Sequence, residues 1–494
     1  MLRNNNDETM KHSIFFMIVI AFAAASFGAE LKVGTCACDI TPPKAVALDG
    51  QMHTRISQKV TTPLVANILA LEGTLDGKPS SAIWVSFDLV AIREEFDKAV
   101  RDAVKQTLPD FDVRHLVLNG THTHTAPVSQ DDKYFVPAGT DYMKPSEYVA
   151  FAAAKVAPAI AEAWKNRQPA KFSYGLGDAT VAYNRRAVYA NGTAVMYGNT
   201  NQPDFRRMEG MDDHDIGSMF FWDANDKLIA MLVNVSCPTQ EVEGLSEVHA
   251  DFWHPAREAL KAKYGKDVTI IATVGASGDM SPRPLYRKAA EERMRNLRKL
   301  SRIDEIARRI VRAVDESYEA VKEDKKTDVP FRHEFAVLPL PKHKLTAAEY
   351  EAAKKVVADL QKRGDPGVQR LLEWNCGVLT KYESQQKTPD AKSNIPVHVI
   401  RIGDTLVATN PFELFTAYGV QMKARSKAVQ TFVVQLTGGS SIAGSSSSAG
   451  YLPTAEAYKH GGYSAIPQSV VIGPEGGQVL VDETLNIANE MFQK

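Results

Sequence analysis

The sequence predicts an α/β protein of mixed architecture, and two observations carry that reading. Apolar runs of strand length alternate with amphipathic stretches of helical period along the 494 residues. No internal repeat breaks the alternation into copies of one unit. At about 150 residues per domain, the length leaves room for roughly three domains or one large one.

The N-terminal stretch stands apart. Lys11 and His12 precede an apolar run at 14–25 that ends in Ser26, Gly28 and Ala29. A basic flank, a short apolar core and a small-residue end describe a secretory signal peptide over 1–28. The run is too short to span a bilayer comfortably. The mature chain is therefore expected to be secreted or periplasmic, with no stable membrane insertion.

The regular elements follow. Runs at 82–87 and 114–118 read as strands, the first ending at Asp88 and the second running into Asn119-Gly120-Thr121-His122-Thr123-His124. A helix is expected from Ser146, capped by Ser146, with Val149, Ala153, Val156 and Ile160 on one face. A hairpin joins 219–222 to 228–235 and ends at Ser236-Cys237-Pro238. The run 268–273 closes on Gly275-Ala276-Ser277-Gly278-Asp279-Met280-Ser281-Pro282. Residues 284–325 are rich in Arg, Lys and Glu, with Ile303, Ile306, Ile310 and Val314 at helical spacing; they read as a solvated helix laced with i,i+4 pairs. Thr346 and Glu349 form a capping box that opens another helix. A second hairpin joins 397–402 to 405–409 and ends at Asn410-Pro411-Phe412-Glu413. The strand 431–436 leads through the Gly- and Ser-rich stretch 438–450 to Tyr451; such a loop lets backbone approach a ligand closely.

Composition narrows the function. With 58 Lys and Arg against 59 Asp and Glu, the net charge of −1 gives no electrostatic case for nucleic acid or an anionic membrane. Four cysteines exclude a disulfide-dense scaffold, and Cys36 and Cys38 are too close in sequence to bridge without strain. The expected partner is a small-molecule or lipid substrate.

Five strand ends carry His, Cys, Ser with Asp, Glu and Tyr, and ligands in open α/β sheets bind beyond the carboxyl ends of strands. On an extended segment, His122 and His124 would point to one side with their rings about 7 Å apart. One could hold a metal while the other faces substrate. A His, the Glu413 carboxylate and one or two further donors leave the open position that a catalytic zinc requires.

With these residues in view, the chain resembles the neutral/alkaline (non-lysosomal) ceramidase family. Six segments match in order: Gly34 with Asp39-Ile40-Thr41-Pro42, Thr121-His122-Thr123-His124-Thr125-Ala126-Pro127, Tyr183-Asn184-Arg185-Arg186, Gly278-Asp279-Met280-Ser281-Pro282-Arg283, Asn410-Pro411-Phe412-Glu413, and Tyr451-Leu452-Pro453-Thr454-Ala455-Glu456-Ala457-Tyr458. The resemblance implies one large catalytic domain over 29–494, with mixed sheets flanked by helices. It implies a Zn2+-dependent hydrolase with metal on His122, Glu413 and Tyr451. By it, His124, Arg185 and Tyr458 line the scissile amide, and Ser281 is the serine assigned as nucleophile.

Two departures stand out. The family's second zinc histidine aligns with Cys237, whose thiolate could replace it; the other readings are a buried structural thiol at Cys237, with His249 as the ligand instead. With few residues after the tyrosine motif, the chain is expected to lack the C-terminal immunoglobulin-like domain of true ceramidases. The leading expectation is amide cleavage of an N-acylsphingosine-like substrate by Ser281 or metal-bound water. A hydrolase of carbohydrate-derived substrates on the same scaffold, and a non-catalytic ligand-binding descendant, are the alternatives.

Overall fold

The computed structural model describes residues 29–444 and 450–493; the expected signal peptide lies outside the described residues. Two sheets pack face to face between layers of helices. In spatial order the larger runs Thr269–Val274, Leu228–Val235, Asp215–Trp222, Gln168–Asp178, Leu31–Asp39, Val65–Leu75, Lys78–Phe87 and Leu116–Gly120. Its two outermost pairs are parallel and the inner ones antiparallel. The smaller runs Phe331–Pro341, Lys392–Ile402, Thr405–Thr409 and Gln430–Val434, with the last pair parallel. The larger sheet curls, so that Ser86 Oγ and Asn119 Nδ2 both donate to Ala272 O, at 2.6 and 3.1 Å.

The side-chain period of a strand explains the layering. Along Val65–Leu75, Ala66, Ile68 and Ala70 face the helices Glu94–Thr107 and Pro145–Lys165. Leu69 and Leu71 face the smaller sheet, against Phe331, Ile400, Val407 and Phe432. Both faces are buried, so the strand reads as an unbroken apolar run rather than an alternating one.

The expected stripe of Val149, Ala153, Val156 and Ile160 is buried. Ser146 does not cap that helix. Pro145 starts it one residue earlier, where a missing N–H costs nothing, and the Asp131 carboxylate accepts the Ser146 N–H at 3.1 Å. Thr346 and Glu349 form their capping box. Helix Arg302–Val321 buries Ile306, Ile310 and Val314, while Glu305 pairs with Arg308 and Arg309 on its polar side. Both hairpins form. All four cysteines are free thiols. Among the described residues no helix is long and apolar enough to cross a membrane.

Candidate active site

The expected strand ends converge where the two sheets meet. Gly120 N–H donates to Leu436 O at 3.3 Å and Gly438 N–H to Leu118 O at 2.8 Å, which zips the histidine segment to the strand leading to Tyr451. Gln435 N–H donates to Val274 O at 2.9 Å and draws the Ser281 loop alongside. The two-residue strands Glu413–Leu414 and Tyr451–Leu452 pair in parallel, Glu413 opposite Tyr451.

The histidine segment is not extended. His122 has φ of 68°, in the left-handed region, which costs a non-glycine residue roughly 1 to 3 kcal/mol. Its N–H holds the kink by donating to Leu89 O at 2.9 Å. The rings therefore lie closer than the extended geometry implies, 4.7 Å between centroids at 70°. His122 Nδ1 lies 2.8 Å from Val90 O, so it carries the proton and leaves a lone pair on Nε2. His124 Nδ1 lies 3.3 Å from Glu243 Oε2, and the Gln240 amide sits 2.9 Å from His124 Nε2. The Gln240 amide thus donates to His124 Nε2, which lies 3.2 Å from His122 Nε2. Gly50 cradles the second ring: its φ is +99°, and a Cβ there would lie 2.4 Å from His124 Cγ.

Glu413 Oε2 lies 3.6 Å from His122 Nε2. The Tyr451 hydroxyl accepts from Arg185 at 3.0 Å, and Tyr451 stands opposite Glu413 across the short parallel ladder. Burial lowers His122 to about 4, so its ring is neutral at physiological pH. Burial, with Glu413, raises the Tyr451 phenol well above its usual value. Arg185 is buried too, yet Tyr451, Tyr197 and Glu413 outweigh that cost and hold its charge firmly. Tyr463, which belongs to no recognisable motif, packs edge-on to Tyr451 at 5.7 Å.

Three expected residues lie elsewhere. The Cys237 thiol turns into the core, 3.5 Å from Val181 O, among Phe252, Trp253 and Met280, and that direction keeps it away from the histidines; burial raises its pKa. The segment reaches the site three residues later, through Gln240. His249 Nδ1 is taken by the Asp251 N–H at 2.8 Å. The Tyr458 hydroxyl donates to Ile472 O and its ring stacks on His343 at 5.4 Å, because it faces away from Tyr451 along the helix Ala455–His460. Ser281 is fully buried; its Oγ accepts from Tyr197 at 3.2 Å and from the Arg283 N–H at 3.1 Å. Among the described residues no histidine or carboxylate bonds to that hydroxyl. Asp88, a possible lining residue, forms a buried bidentate pair with Arg257 at 2.7 Å.

Among the described residues no three His, Cys, Asp or Glu side chains form a metal cluster. Three donors arise when the tyrosine is counted: His122 Nε2 with its free lone pair, Glu413 and Tyr451. Three protein ligands with a fourth position open suit a catalytic zinc, so the residues fit that ion without Cys237.

No protein-family model matches the chain, and no curated protein matches it in sequence. Solved structures do. A neutral ceramidase from Pseudomonas aeruginosa superposes with a TM-score of 0.64 at 15% identity, over 94% of this chain and 75% of that one. A ceramidase complexed with C2 gives 0.63 at 15% identity, over 93% and 75%. The chain has the mixed α/β fold of the neutral ceramidases.

Proposed function

We propose that this chain is an exported, zinc-dependent hydrolase that cleaves an acyl amide bond of the N-acylsphingosine type. The observation that supports this most is the meeting of His122, Glu413 and Tyr451 beside a buried, charged Arg185. Zinc bound by those three residues would polarise the acyl carbonyl and ease deprotonation of water. The chain supplies the rest. Arg185 stabilises the oxyanion as the carbonyl is attacked. His124, with Glu243 at its far nitrogen, takes the proton of the attacking water and returns it to the leaving nitrogen. In this reading Ser281 has no base to activate it and instead positions Tyr197.

The test is hydrolysis of a fluorescent short-chain ceramide by zinc-loaded protein, with His122→Ala and Ser281→Ala beside it. The reading expects turnover that His122→Ala abolishes and Ser281→Ala lowers by less than about tenfold. Loss of all turnover in Ser281→Ala would restore the serine as nucleophile. No turnover by folded, zinc-loaded wild type would sink amide cleavage of ceramide.

A further inference from the structure

A cavity of about 230 Å³ lies where the chain leaving strand Phe331–Pro341 passes the last turns of helix Gln369–Lys387. None of the metal-centre residues lines it. Leu345, Pro389, Ala391 and Val471 give it apolar surface. Lys342, Lys344 and Lys381 give it charge, and among the described residues no carboxylate lines it. An apolar cavity of roughly 150 Å³ already takes benzene, so this one has room for a small ring bearing a polar group.

Lys381 is the informative residue. Its ammonium has three protons to give. Two go to Pro467 O at 3.0 Å and Val470 O at 2.9 Å; among the described residues the third has no partner, and no Asp or Glu pairs with the charge. Lys344, by contrast, has Asp390 at 2.9 Å, with both side chains in solvent. Withdrawing a cation from water without a counter-ion is costly, and burial lowers Lys381 to about 8. His343, also in the lining, has a buried Nδ1 without a partner among the described residues. A lysine placed only to tie down the turn 467–470 accounts for two of its protons; it leaves the third, the missing carboxylate and the adjoining cavity unexplained.

We propose that this cavity binds a small organic carboxylate, with its charge on Lys381 and its apolar body against Leu345 and Val471. The site is independent of the hydrolase reading. It does stand one turn behind the metal centre: Ser469 O, between the two carbonyls that Lys381 holds, accepts the Tyr451 N–H at 3.0 Å. A variant at Lys381 could therefore disturb turnover through Tyr451, so the readout is binding.

Three probes test it. Benzoate, its uncharged analogue benzamide and inorganic phosphate are titrated calorimetrically into the full chain and into two variants. Wild type should bind benzoate at least tenfold more tightly than benzamide, which lacks the charge, and than phosphate, which lacks the apolar body. In Lys381→Gln the ratio of benzoate to benzamide should fall towards one. Ser384 lines the cavity from the helix, is exposed and makes no side-chain bond among the described residues. Ser384→Leu fills the space without touching Lys381 and should weaken benzoate at least tenfold, which keeps the test decisive if Lys381→Gln fails to fold. Benzamide or phosphate bound as tightly as benzoate, benzoate affinity unmoved in Ser384→Leu or in folded Lys381→Gln, or no binding of benzoate to wild type would overturn the proposal.

Discussion

The molecule buries two pairs of histidines, and they are built on opposite principles. His333 and His398 lie between the sheets and bond to each other, while His398 Nε2 is buried without a partner among the described residues. His333 Nδ1 donates to Ser81 O at 3.0 Å, and its Nε2 accepts from His398 Nδ1 at 2.9 Å. The pair is donor to acceptor, and among the described residues no carboxylate bonds to it. His122 and His124 instead bring their Nε2 atoms to 3.2 Å beside the Gln240 amide, with Glu413 on one side and Glu243 on the other. Flanking carboxylates can hold a proton or a cation at such a pair, which an isolated packing pair has no means to do. The carboxylates, rather than the rings, distinguish the two pairs.

The comparison breaks first at the working pair. His122→Ala and Glu413→Ala each remove one of three donors, so each should lose bound zinc and lower turnover roughly 10³-fold. Metal content per chain, measured beside activity, checks this. Variants that keep stoichiometric zinc would show that the rings meet for some other reason. Arg185→Met removes the buried charge at Tyr451 and should cost roughly 10²-fold in kcat with the metal retained.

Cys237 sharpens the boundary of the site. Its thiol lies in the core, so Cys237→Ala should leave zinc content unchanged and destabilise the fold by about 1 to 2 kcal/mol, seen as a lower thermal midpoint. Loss of metal in that variant would return the thiol to the donor set.

Much of this was legible before any coordinate. The hairpins, the Thr346 capping box and the convergence of strand ends follow from periodicity and turn chemistry, which are local properties. His122, Glu413, Tyr451 and Arg185 were found by motif order, and the structure brings them together. What escaped depends on direction rather than identity. Cys237 and Gln240 stand three residues apart on one short segment, and only the turn through Pro238 decides which faces the histidines. The spacing of His122 and His124 was misjudged because a left-handed residue is invisible when it is not glycine. Tyr463 and Tyr197 carry no motif; both arrive through packing.

The packing pair yields the smallest effect and the clearest sign. Burial lowers His333 to about 3, His398 well below its usual value and His122 to about 4, while an unfolded chain takes up these protons near 6.5. The folded state thus binds fewer protons than the unfolded one across that window. Stability is full above about pH 6.5 and falls as the pH drops towards 4, by up to about 1.4 kcal/mol per pH unit for each histidine. Replacing both His333 and His398 with Leu removes two of those groups without leaving either partner unpaired. The double variant should keep zinc and neutral-pH turnover within about twofold, because neither ring touches the site, and its acid melting curve should be flatter than that of the wild type. Equal acid slopes would mean that the sheets open locally and let the pair titrate before unfolding, and loss of activity would show that the two histidine pairs are coupled through the strand Leu116–Gly120 that runs between them.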